Sequence, residues 1–127
     1  MTSGKLLSPT SIHTFSLSPC FSLLRSGTHI LPHTGPTNLR LRVHLGLKIP
    51  KTEVRNNSYM RITDQILHWE EGEMIVFDDS FEHEVWHYNE KNEFRLILYM
   101  DLWHPDLTED RKIWNLQQGR LDRFLLI

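Results

Sequence analysis

Eight histidines in a chain of 127 residues is a high count, and histidine is the commonest metal ligand. Two of them stand beside turn-forming residues. His33 lies in Leu31-Pro32-His33-Thr34-Gly35-Pro36-Thr37-Asn38, a segment too rich in Pro and Gly for a helix or a long strand, and His83 follows Asp78-Asp79-Ser80. A β-sandwich can bring two such positions together at neighbouring strand ends as a metal pair; a surface or hydrogen-bonded histidine at each place fits equally well. Arg95 changes the weighing. It sits in Phe94-Arg95-Leu96-Ile97-Leu98-Tyr99-Met100 among apolar neighbours, and a guanidinium buried without a partner is very costly. Its partner is either an internal Asp or Glu, or the carboxylate of a ligand held in a bidentate fork, for which Arg suits better than Lys. Arg42 and His44, two positions apart in a strand pattern, point the same way. They face solvent if the sheet is open and line a pocket if it curls into a barrel.

The elements that must position these side chains are mostly strands. Leu39, Leu41, Val43, Leu45, Leu47 and Ile49 alternate with Arg40, Arg42, His44, Gly46 and Lys48, a period of two that predicts a strand with one apolar face. Pro50 ends it. Shorter strands are predicted over 58–63, 65–69, 74–77, 83–88 and 94–102. The breaks between them carry turn chemistry in Glu70-Glu71-Gly72, Asp78-Asp79-Ser80 and residues 89–92. Many short, evenly spaced strands imply an antiparallel sandwich or barrel such as a jelly roll. Residues 1–19, rich in Ser, Thr and Pro, read as a flexible leader. Residues 108–121 alone look helical, with Thr108 as cap and Glu109 and Asp110 in the first turn.

Composition removes several function classes. The length supports one domain. Fourteen Lys and Arg against sixteen Asp and Glu give a net charge of −2, which argues against a general nucleic-acid binder. A single cysteine, Cys20, cannot form an internal disulfide. No apolar run approaches the roughly 20 residues of a membrane-spanning helix, and the start lacks a secretory pattern.

Read in order, the strings His33-Thr34-Gly35-Pro36-Thr37-Asn38, Arg42-x-His44-Leu45-Gly46-Leu47, Trp69-Glu70-Glu71-Gly72, Phe77-Asp78-Asp79-Ser80-Phe81-Glu82-His83-Glu84-Val85 with Arg95, and Trp103-His104-Pro105 resemble the aspartyl/asparaginyl β-hydroxylase family. The resemblance covers residues 20–107. It implies a mainly all-β fold, a double-stranded β-helix or cupin-like jelly roll with a short C-terminal helix. It also implies a dioxygenase that uses Fe(II), 2-oxoglutarate and O2 and releases succinate and CO2. Its product is an Asp or Asn hydroxylated at the β-carbon in a protein substrate, namely epidermal-growth-factor-like domains. By the same resemblance His33 and His83 bind iron, while Ser22, Arg42, His44 and Arg95 hold 2-oxoglutarate, Arg95 taking its far carboxylate. His33, His83 and Arg95 are then the catalytic set. Bacterial relatives of similar motif act on lipid, so a lipid or other small molecule is the alternative substrate. The family works in the lumen of the endoplasmic reticulum.

Most non-haem Fe(II) oxygenases bind iron with two histidines and one carboxylate, the carboxylate lying two positions after the first histidine. Here that position is Gly35, as in the family resembled. Asp78 and Asp79 are assigned to the turn and to hydrogen bonds behind the ligands. His29 is expected to make a structural hydrogen bond and His87 to face solvent. His13 belongs to the leader, and His68 and His104 to strand or turn. Trp69, Trp86 and Trp103 read as core or rim packing. Asn56-Asn57-Ser58 is a glycosylation sequon of a kind common by chance.

Family catalytic domains carry further β-structure and another cofactor contact upstream of the match to Ser22. The resemblance therefore implies an N-terminally truncated form that keeps the ligands, exposes sheet edges and is marginally stable. A non-catalytic jelly-roll remnant or binding module is the competing function.

Overall fold

The computed structural model describes residues 19–51 and 57–111. Eight strands run in chain order through these residues: β1 (Cys20–Leu24), β2 (Thr28–His33), β3 (Arg40–Lys48), β4 (Asn57–Ile62), β5 (Gln65–Leu67), β6 (Met74–Phe77), β7 (His83–Tyr88) and β8 (Arg95–Trp103). They pair antiparallel in two four-stranded sheets, β1-β8-β3-β6 and β2-β7-β4-β5, the strand order of a jelly roll. The mainly all-β expectation holds, and five of the six predicted strands keep their place within one residue. The sixth, β5, stops at Leu67 rather than residue 69, and Trp69 beyond it turns into the core. β1 and β2 were not anticipated, being short and interrupted by Ser22 and Pro32.

The expected leader lies outside the described residues, apart from Pro19. Of the predicted tail helix, residues 109–111 are helical, with the Arg111 amide donating to Thr108 Oγ1 at 3.4 Å; the remainder lies outside the described residues, as does Asn56 of the sequon. No helix among the described residues is long and apolar enough to cross a membrane.

The long strand β3 turns its charged row inward. Arg42 stands opposite Phe77, and Gly46 opposite Ile97; Phe77 and Ile97 belong to the buried core with Ile49, Met60, Trp69 and Val85. Neighbours across a ladder share a face, so Arg40, Arg42, His44 and Gly46 face the interior, while Leu47 in the aliphatic row is 39 % exposed. The open-sheet alternative therefore fails. Ion pairs make the inversion tolerable, because a buried charge needs a partner. Arg40 contacts Asp79 at 2.7 Å and Asp101 at 3.1 Å, and Arg42 contacts Asp101 at 3.0 Å.

His87 also departs from expectation. Rather than facing solvent it is 1 % exposed, because His83, Val85 and His87 alternate on the inward face of β7. Its Nε2–H donates to the Glu93 carbonyl at 2.9 Å and its Nδ1 accepts from Ser58 Oγ at 3.0 Å, so a neutral ring satisfies both nitrogens. His29, in contrast, makes the structural bond expected of it, to Glu84 Oε1 at 2.6 Å.

Ile97 is 1 % exposed and Phe21 is 71 % exposed, so size should not decide their contribution. Ile97→Ala is expected to cost about 2–5 kcal/mol, and Phe21→Ala to stay within about 0.5 kcal/mol, both read from urea unfolding midpoints. Equal losses would mean that the interior has been placed on the wrong face of the sheet.

Candidate active site

A one-residue irregularity brings the two histidines together. On β2, Ile30 stands opposite Val85 and His33 opposite His83, so three steps along one strand match two along the other. In a regular strand an odd step would put His33 on the face opposite to Ile30; the bulge at Leu31-Pro32 returns it to the same face, where it stays exposed at the rim of the cavity that Ile30 also lines. The two rings then lie 4.2 Å apart. Each is oriented in the same way, by an Nδ1–H donated to the carbonyl two residues earlier: His33 to Leu31 at 2.7 Å and His83 to Phe81 at 2.9 Å. Both Nε2 atoms are thereby left as acceptors, the form in which imidazole ligates a metal.

Gly35 has a packing reason for lacking a side chain. Its amide donates to the Asp79 carbonyl at 2.6 Å, and a Cβ at this position would strike the Asp79 carboxylate. Asp79 is 1 % exposed and committed to Arg40. Asp78 caps its own turn, accepting from Ser80 N at 2.9 Å and Ser80 Oγ at 2.6 Å. Among the described residues no group of three His, Cys, Asp or Glu side chains converges on a metal-sized site, so the pair stands without a third protein ligand.

The interior behind the histidines is a cavity of about 150 Å³. Ser22, His33, Arg42, His44, His83 and Arg95 all line it, with Tyr99, Phe77 and core aliphatics completing the wall. All six residues singled out in the sequence thus share one space. Arg95 is 2 % exposed. Its guanidinium donates to Ser22 Oγ at 3.0 Å and lies 4.5 Å over the Trp69 ring, yet its Nε has no hydrogen-bond partner. No Asp or Glu among the described residues pairs with it. Burial pushes its pKa down to about 10, which still leaves it charged at neutral pH. Burial also holds His44 well below its ordinary value, and Arg95 and Arg42 push further the same way. His83 is lowered by burial, with the Phe81 carbonyl opposing and His33 adding to the shift.

Three parts of this site escaped the sequence reading. Tyr99 lines the cavity under the Arg42 guanidinium, 4.8 Å from the ring centre. Asp101 neutralises Arg42, and Trp69 hydrogen-bonds His44 at 3.2 Å. The period of two through Arg95, Ile97, Tyr99 and Asp101 was the available signal for the first two. A separate open hollow of about 1000 Å³ lies between Gly35, Phe81 and side chains of residues 104–111.

The family model for aspartyl/asparaginyl β-hydroxylase matches residues 5–105 of this chain. The chain belongs to the aspartyl/asparaginyl β-hydroxylase family. It is 50% identical over 92 residues to the aspartyl/asparaginyl β-hydroxylases of Mus musculus and Homo sapiens, covering 72% of this chain and 12% and 11% of theirs. It is 40% identical over 85 residues to the ornithine lipid ester-linked acyl 2-hydroxylase of Rhizobium tropici, covering 67% of this chain and 29% of that one. It therefore spans about a tenth of the two animal hydroxylases and less than a third of the bacterial one. Among solved structures, a cupin protein from Bacteroides fragilis superposes with a TM-score of 0.50 at 9% identity, covering 69% of this chain and 66% of that one. That likeness speaks for the cupin-like fold alone.

The buried histidines of this β-hydroxylase family member set a pH dependence. The values of His44, His83 and His87 are all lowered from 6.5, in each case chiefly by burial. The unfolded chain therefore binds protons more readily, and stability is full above about pH 6.5 and lost as pH falls below it. The melting temperature should stay level above about pH 7 and fall steadily toward pH 5.5. A flat profile across that window would mean that these rings are charged in the folded protein.

Proposed function

We propose that this chain is an Fe(II)- and 2-oxoglutarate-dependent dioxygenase that hydroxylates the β-carbon of Asp or Asn in a protein substrate, epidermal-growth-factor-like domains being the substrate class the resemblance points to. One observation carries the reading: a buried, uncompensated arginine shares a cavity with two histidines whose Nε2 atoms are both free to ligate. A carboxylate is the ligand that Arg95 lacks, and a divalent metal is the ligand that the histidine pair lacks. The residues present fit both groups.

His33 and His83 would hold the iron, their Nδ1–H bonds to backbone fixing ring orientation before the metal arrives. Arg95 and Ser22 would take the far carboxylate of 2-oxoglutarate. His44, whose Nδ1 is occupied by Trp69, offers an Nε2–H donor, and Arg42, held by Asp101, lines the cavity beside it. Bound there, iron and 2-oxoglutarate supply with O2 the oxidising power to replace a substrate C–H by C–OH, releasing succinate and CO2. The protein supplies placement, and the apolar wall of Phe77, Val85 and Ile97 keeps bulk water from the cavity. The separate open hollow, whose lining includes Gly35 and Phe81, each two residues from one of the histidines, would receive a macromolecular substrate.

A second reading keeps the chemistry and changes the substrate. The Rhizobium tropici relative is named for hydroxylating the acyl chain of a lipid, and the cavity residues do not separate an acyl chain from a peptide side chain.

Anaerobic titration of the Fe(II)-loaded protein with 2-oxoglutarate should raise a saturable visible charge-transfer band. Arg95→Ala should weaken 2-oxoglutarate binding by on the order of 30-fold or more while leaving Fe(II) affinity intact, and His83→Ala should lose Fe(II) itself. Succinate released in step with a hydroxylated Asp- or Asn-containing peptide supports the protein-substrate reading; turnover of an acyl lipid alone transfers support to the second. A folded protein that shows no band would leave the non-catalytic module standing.

A further inference from the structure

Trp69 reads from sequence as a packing residue, and its burial at 4 % exposure agrees. Its contacts go further. The indole N–H donates to His44 Nδ1 at 3.2 Å, and the same ring lies beneath the Arg95 guanidinium at 4.5 Å. One side chain thus touches two of the residues that line the cavity from different strands, His44 on β3 and Arg95 on β8. An indole nitrogen is a donor only, so His44 Nδ1 must accept, and its single proton must sit on Nε2.

The backbone explains how Trp69 reaches this place. The turn after β5 lies against β3 at Gly46: the Gly46 amide donates to the Glu73 carbonyl at 3.1 Å, and the Gly72 amide to the Gly46 carbonyl at 2.9 Å. A Cβ on residue 46 would strike the Glu70 carbonyl. Glu71 ties the turn down a second time, its Oε1 accepting from the Ile49 amide at 3.1 Å. The strings Arg42-x-His44-Leu45-Gly46 and Trp69-Glu70-Glu71-Gly72, separate in sequence, are therefore one structural unit. Gly46 admits the turn, and the turn delivers the indole to His44.

We propose that Trp69 is a positioning residue for the oxoacid: it locks His44 in the Nε2–H tautomer, so that a donor faces the cavity, and it supports Arg95 where no carboxylate among the described residues does. This deepens the proposed function and rests on it for the identity of the ligand; the tautomer itself does not.

The test uses Trp69→Phe, which keeps an aromatic ring under Arg95 and removes the donor. Imidazole nitrogen NMR spectra of the metal-free protein near neutral pH, with the His44 signals identified by their loss in His44→Asn, should show a pure Nε2–H form in the wild type and a mixture in Trp69→Phe. On the Fe(II)-loaded protein, 2-oxoglutarate affinity should fall roughly three- to tenfold, the worth of one neutral hydrogen bond, with Fe(II) affinity unchanged. Gly46→Ala should reproduce the tautomer mixture with the indole still present in the sequence, because the turn can no longer close on β3. An unchanged His44 tautomer in Trp69→Phe overturns the inference. So does a tautomer shift that leaves 2-oxoglutarate affinity untouched in a protein whose wild type binds it. If the wild type itself fails to bind 2-oxoglutarate, the functional reading and the oxoacid role fall together, and the nitrogen spectra still decide whether Trp69 sets the His44 tautomer.

Discussion

The interior of this small sandwich is organised around a positive charge that no acidic side chain among the described residues neutralises. Removing a guanidinium from water costs several kcal/mol even after relaxation, and the fold meets that cost elsewhere with acids: Arg40 has Asp79 and Asp101, and Arg42 has Asp101. Arg95 has a hydroxyl and an aromatic face. Its charge propagates, because in a low-dielectric interior a cation penalises any second one nearby. His44 is held neutral first by burial and next by Arg95, and His87 is pushed the same way by both. This charge is thus also one of the forces keeping its neighbouring imidazoles uncharged and able to accept or donate a single hydrogen bond.

Backbone geometry does the rest of the positioning, at places where a side chain or an amide is missing. Pro32 lacks an N–H and therefore disturbs a ladder least on an edge strand, and β2 is the edge of its sheet. The bulge there reverses the facing of a single residue, and that residue is His33. Gly35 leaves room for the Asp79 carboxylate, and Gly46 leaves room for the turn that carries Trp69. Each device removes bulk at one point to fix a side chain at another. That arrangement holds a site firmly on a small core.

These devices also mark what could be read in the amino-acid order. Strands with strict alternation or clear turn boundaries were legible, as at Leu39 to Ile49 and before His83. β1 and β2 were not, because they are short, Pro32 interrupts β2, and their ladders are completed only by the distant strands β8 and β7. The facing of β3 was ambiguous on physical grounds. Alternation identifies two faces without saying which is inside, and the usual preference for aliphatics inside is overridden here by ion pairs with Asp79 and Asp101. His87 was misread for the same reason: burial of a polar ring depends on partners, Ser58 and the Glu93 carbonyl, that lie on other segments. Five of the six cavity residues stood out by residue type and placement, Ser22 and the roles of all six came from the resemblance of ordered motifs, and Tyr99, Asp101 and the bond from Trp69 needed coordinates.

The two arginines of the cavity are not equivalent, and the difference gives the cavity a direction. Arg42 arrives with its charge already balanced by Asp101, its Nε 3.0 Å from the carboxylate and its guanidinium over Tyr99. Arg95 arrives unbalanced, with an idle Nε. A carboxylate entering beside Arg42 competes with an existing ion pair and feels Asp101 as a repulsive neighbour, whereas one entering beside Arg95 meets no acid to displace. A dicarboxylate on the proposed reading is therefore drawn to place one end against Arg95 and leave the other toward the histidine pair, where a metal rather than an arginine must supply the missing positive charge. The missing third protein ligand fits the same logic. Asp79 is held back by Arg40 and Gly35 has no side chain to offer, so on the proposed reading no carboxylate among the described residues would join the histidine pair.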